Sequence, residues 1–196
     1  MKLIKFCSLL VLLSIIFLLP ASAFAHPGFA HGPGFFNAFI HPFSGLDHIL
    51  AMVAVGILAF KSGGRALWVL PAAFLSLMLL GCILGLTGLT VPFIEGGVIT
   101  SVLILGLLIA VAASLPLAPA MSIVGLFALF HGFAHGTEMP LAASGLVYVA
   151  GFTAATLLLH LGGIVTGLLL QKTAGARLIR YSGAAIAASG VYMFIA

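Results

Sequence analysis

Charge is what this chain lacks most. Of its 196 residues, 5% are Asp, Glu, Lys or Arg, against roughly 25% in a soluble domain. With 63% hydrophobic residues and a mean hydropathy of +1.37, the scarcity excludes a water-soluble fold and points to an all-α integral membrane protein. No stretch is polar enough for a soluble domain, a long linker or a low-complexity segment. Cysteine is nearly absent too. Cys7 falls in a segment expected to be removed and Cys82 inside an apolar run, which leaves the mature chain neither a disulfide nor a thiolate ligand set. A Gly-x-x-x-x-Gly-Lys-[Ser/Thr] phosphate loop is missing, and with it direct coupling to ATP. The net charge of +4 does not indicate nucleic acid, because the basic residues stand singly at the ends of apolar runs.

What is present divides the chain into three parts. Residues 1–25 read as a secretory signal peptide: Lys2 and Lys5 precede the apolar run from Leu9 to Leu19, and Ala23-Phe24-Ala25 offers a small-x-small cleavage site. Residues 26–38 then form a short external segment, and residues 39–196 a six-helix bundle. The spans are expected at 39–60, 66–88, 92–113, 118–138, 143–170 and 176–195, each near the ~20 residues a bilayer requires. An external N-terminus puts Lys61 and Arg65, and Lys172, Arg177 and Arg180, in loops on the cytoplasmic side, as the distribution of positive charge requires. Glu95 and Glu138 fall on the opposite, external side.

The polar residues gather in two places. His41-Pro42-Phe43-Ser44-Gly45-Leu46-Asp47-His48 opens the first span, and Phe130-His131-Gly132-Phe133-Ala134-His135-Gly136-Thr137-Glu138 closes the fourth. On a helix His131, His135 and Glu138 share one face. Asp47 is the sole aspartate, and a bare carboxylate in lipid costs at least ~2.5 kcal/mol, so it calls for a metal ion or a protonated histidine beside it. Both clusters belong to the outer half of the membrane. Continuous helices would set His48 ~10 Å below His41 and His131 ~10 Å below Glu138, giving a shallow tier of His41, His135 and Glu138 and a deep tier of Asp47, His48 and His131. Further candidates are His26 and His31 in the external segment, which suit capture of a metal. Glu95 is either a solvated carboxylate or an entry ligand. His160, in the fifth span, is either a hydrogen-bond donor between helices or a ligand. Imidazole and carboxylate suit Ni2+, Co2+ or Zn2+ better than Cu+ or Mg2+. Gly81-Gly85, Gly132-Gly136 and Gly163-Gly167 have the spacing that lets helices approach closely in lipid. A faint likeness of Phe39–Pro42 to Leu129–Gly132 suggests an inverted three-plus-three repeat.

His41-x5-Asp47-His48 and Phe130-His131-Gly132-x-x-His135-Gly136-x-Glu138 resemble the two signature motifs of the HupE/UreJ family, small bacterial nickel or cobalt permeases of the hydrogenase and urease accessory systems. The resemblance covers the whole chain. It implies a non-enzymatic importer of Ni2+ or Co2+ in the inner membrane, without a permanent cofactor, functionally linked to hydrogenase or urease maturation. It also implies that His41, Asp47, His48, His131, His135 and Glu138 line the metal path. The rival reading is an intramembrane zinc-dependent hydrolase. It needs only three convergent ligands, whereas the candidates here are spread along the membrane normal.

Overall fold

A computed structural model describes residues 34–140 and 144–196. The proposed signal peptide and the candidate ligands His26 and His31 lie outside the described residues. Within them the chain is all-helical: α1 Phe35–Ser44, α2 Leu46–Ser62, α3 Ala66–Leu86, α4 Ile94–Ala110, α5 Leu117–Thr137, α6 Gly145–Ala174 and α7 Ala176–Ile195. Four of these, α3, α5, α6 and α7, are long and apolar enough to cross a bilayer, and α1 with α2 makes a fifth if the broken pair is one span.

The expected first span is therefore not one helix. It is bent by 85° between α1 and α2. Pro42 lacks the N–H that would bond back within α1, and Gly45 is extended (φ −101°, ψ 122°). The Ser44 hydroxyl donates to the His41 carbonyl (2.6 Å), satisfying one of the groups freed at the break. The expected third span is shorter than anticipated: α4 has 17 residues, about 25 Å of helix. Left-handed Phe93 (φ 62°) and Ala112 (φ 53°) stand just beyond its two ends. At its C-terminus the Lys61 ammonium donates to the Ala113 carbonyl (2.5 Å) and Arg180 Nε to the Ala110 carbonyl (2.9 Å), cations at the negative end of a helix dipole.

Glycine decides which helices touch. A Cβ on Gly132 would strike the Met78 carbonyl and one on Gly136 the Cys82 carbonyl, while one on Gly85 would lie 2.5 Å from the Phe133 carbonyl. The backbones of α3 and α5 thus lie against each other, running parallel. Gly56 and Gly163 bring α2 and α6 together in parallel, and Gly106, Gly183 and Gly190 bring α4 and α7 together antiparallel. The motif-bearing helices α2 and α5 share none of these glycine seams, so they meet through side chains.

Candidate functional site

Those side chains are imidazoles. His41 sits on α1, His48 in the first turn of α2, and His131 and His135 one turn apart on α5. The bend at Gly45 turns His41 back over His48, so their ring centroids are 6.2 Å apart instead of the ~10 Å a straight helix would give. From there the contacts are closer: His41 to His135 5.0 Å, His135 to His48 4.9 Å, and His48 to His131 5.1 Å. The two tiers expected from the sequence collapse into one continuous column.

The mouth of the column is formed by His41 and Glu138, with Nε2 and Oε2 3.1 Å apart and the Glu138 side chain half exposed. One ligand atom each from His41, His135 and Glu138 lies within 4.8 Å of the others. Bonds of about 2.1 Å put ligand atoms of one ion roughly 3–4 Å apart, so a small contraction would close this trio on a cation.

Deeper in, hydrogen bonds fix the tautomers. His131 Nδ1–H donates to the Phe127 carbonyl (2.9 Å), which leaves its lone pair on Nε2. With His48 Nδ1–H donating to Asp47 Oδ1 (2.9 Å), the lone pair of that ring is also on Nε2. The same carboxylate oxygen accepts the His48 backbone N–H (2.7 Å). Asp47 thus finds its partner in the adjacent histidine and acts through it, orienting the ring and making its free nitrogen more basic. Gly45 is required here: a Cβ would fall 2.6 Å from Asp47 Oδ1 and 3.0 Å from His48 Nδ1. His48 Nε2, His131 Nε2 and both nitrogens of His135 are buried without a hydrogen-bond partner among the described residues. Each such group ordinarily costs about 1–3 kcal/mol, a cost that a bound cation would offset.

A profile of the HupE / UreJ protein family matches residues 13–193. The chain belongs to the HupE/UreJ family. It is 44% identical over 177 residues to "Protein HupE" of Rhizobium leguminosarum bv. viciae, covering 90% of this chain and 92% of that protein. No solved structure matches it.

In this family member the described structure brings together all six residues of the two motifs: His41, Asp47, His48, His131, His135 and Glu138. Glu95, by contrast, is exposed on the first turn of α4 and joins none of these contacts. His160 is fully buried on α6, beyond the column. Reading the sequence for polar residues misses the aromatic walls. Phe152 stacks on His135 at 5.0 Å and 17°, and Phe74 lies 5.6 Å from His131. Nothing in the sequence marks either of them among 16 phenylalanines.

Proposed function

We propose that the chain is a secondary permease carrying a divalent transition-metal cation, Ni2+ or Co2+, inward across the bacterial inner membrane. The observation that carries the reading is the column itself: successive imidazoles about 5 Å apart, with buried ring nitrogens that have no hydrogen-bond partner among the described residues, and a carboxylate at the mouth. A cation held by Glu138, His41 and His135 exchanges one ligand at a time for His48 and then His131, never passing bare into hydrocarbon. Nitrogen and oxygen donors without thiolate suit Ni2+ and Co2+, and Zn2+ is the competitor to exclude.

The five basic residues from Lys61 onward stand at the opposite end of the bundle from Glu138, which supports a mouth on the external, periplasmic face. A 2+ ion entering from there gains about 4.6 kcal/mol per 100 mV of inside-negative potential. The cation would then serve hydrogenase or urease maturation in the cytoplasm. A zinc hydrolase is disfavoured by the same geometry. The convergent trio of His41, His135 and Glu138 uses Glu138 itself as a ligand, and Asp47 beside the deeper rings is already committed to His48, so neither carboxylate is left to activate water.

The test is uptake into liposomes containing the purified chain, with the potential clamped by a potassium gradient and valinomycin. Inside-negative potential should accelerate Ni2+ uptake, with Co2+ competing. Liposomes that take up neither ion faster than protein-free ones would overturn the reading.

A further inference from the structure

Beyond His131 the column meets an aromatic ring and then another imidazole. Phe74 of α3 is fully buried, 5.6 Å from His131 and 4.9 Å from His160, edge-to-face with the latter at 86°. His160 belongs to α6, which contributes no ligand to the outer column. It lies about 22 Å along α6 from Gly145, whereas His131 lies only about 9 Å from the neighbouring end of α5. His160 is therefore the next donor inward. It is completely buried, and neither Nδ1 nor Nε2 has a hydrogen-bond partner among the described residues. An imidazole kept there merely to join helices would be bonded to one.

Donor side chains lie on the approach to this ring as well. Thr156 precedes His160 by one turn on the same face of α6, and its hydroxyl donates to Met78 Sδ at 3.7 Å. Met78 follows Phe74 by one turn on α3. All four side chains are fully buried. Met78 is level with Gly132 of α5, next to His131, so the hydroxyl and the thioether stand one turn outward of His160 and Phe74, on the way from the outer column to the inner imidazole.

We propose that His160 is a second, inner station for the transported cation, that Thr156 and Met78 lie on its approach, and that Phe74 is the partition between this station and the outer column. The inference rests on the transport reading above. A lone imidazole, approached past one weak oxygen and one thioether, holds a divalent transition metal less tightly than the outer histidines and carboxylate. A cation handed past Phe74 is therefore free to leave inward. The soft sulfur also disfavours Mg2+ and Ca2+, adding discrimination at the second step.

The experiment uses the full chain in liposomes and in detergent, with Co2+ as the probe. His160→Phe keeps the volume of a ring and removes both nitrogens, and His160→Gln keeps a polar group of similar reach. Co2+ binding at the outer column, followed by its visible absorption, should stay within about twofold of wild type in both. Uptake should fall at least tenfold in His160→Phe and less in His160→Gln. Wild-type uptake by His160→Phe overturns the inner station. So does loss of outer Co2+ binding in both variants, which would make His160 a support of the outer site. Should neither variant insert, anomalous scattering from Co2+-soaked crystals of the wild-type chain decides. A peak at bonding distance from His160, in addition to one among His41, His135 and Glu138, supports the station, and an outer peak alone overturns it. Failure of the wild-type chain to bind or move Co2+ or Ni2+ at all refutes the transport reading instead, and the inner station falls with it.

Discussion

His48 is the ring on which the outer column turns. Its imidazole meets those of His41, His131 and His135, and its Nδ1–H is held by Asp47. Two substitutions separate donating to the cation from orienting a donor. His131→Ala removes a proposed ligand, whose lone pair the Phe127 carbonyl has fixed on Nε2, so uptake should be lost at cation concentrations well below saturation. Asp47→Asn leaves an oxygen able to accept from His48 Nδ1 but removes the charge. Cation affinity should then weaken about 10–100-fold, while saturating cation restores part of the rate. Co2+ titration followed by absorption, alongside uptake, checks both. An Asp47→Asn chain with wild-type affinity would deny the carboxylate its orienting part. At this scale the sequence was informative, because polar residues in so apolar a chain have few reasons to be there. What it concealed was the direction of Asp47, toward its own neighbour.

The elements that hold these rings show why the rest was less legible. The glycine spacing on α5 was visible, but its partner was not. Gly132 and Gly136 fit against Met78 and Cys82 of α3, so the helix carrying the second motif is seated on the helix carrying Phe74. Gly136→Val should force these backbones apart, costing roughly 1–3 kcal/mol. The midpoint of thermal unfolding in detergent should fall, and uptake with it. Gly162→Ala is the control, since a Cβ there meets nothing within 4 Å, and it should change neither. Equal behaviour of the two variants would remove close packing from the account. The break at Gly45 was equally hidden. Pro42 and Gly45 are ordinary residues for membrane helices, and only the packed structure shows that they turn α1 by 85°. That turn is what brings two tiers, read from a straight helix as ~10 Å apart, into contact. Phe74 and Phe152 escaped notice for a simpler reason: a wall of a metal path and a core phenylalanine have the same composition.

Across the whole molecule, pairing and charge both have a direction. The parallel seams α3–α5 and α2–α6 exchange with each other when α1–α4 are swapped for α5–α7, and α4–α7 maps onto itself, as an inverted three-plus-three repeat would have it. One end of the bundle carries the basic residues and the other carries Glu138, with four imidazoles beneath it. A cation arriving at that end competes with protons for the same nitrogens. Free imidazole titrates near pH 6.5, and only its neutral form binds metal. Binding capacity is thus present above that range and lost as the pH falls through it. Between external pH 7 and 5 the neutral fraction of an unperturbed imidazole drops from about three-quarters to about one-thirtieth. The half-saturation constant for uptake should therefore rise, with the maximum rate unchanged, because enough cation displaces protons from the imidazoles that it binds. Asp47 and Glu138 are the carboxylates facing these rings, and ordinary carboxylates stay ionised over most of this interval, so the histidines set its shape. Proton-driven import would behave differently, with a maximum rate that climbs as the external pH falls. Uptake measured at several cation concentrations at each pH distinguishes the two. A rate flat from pH 7 to 5, at cation far below saturation, would mean that the imidazoles are not the ligands and that the column is not the path.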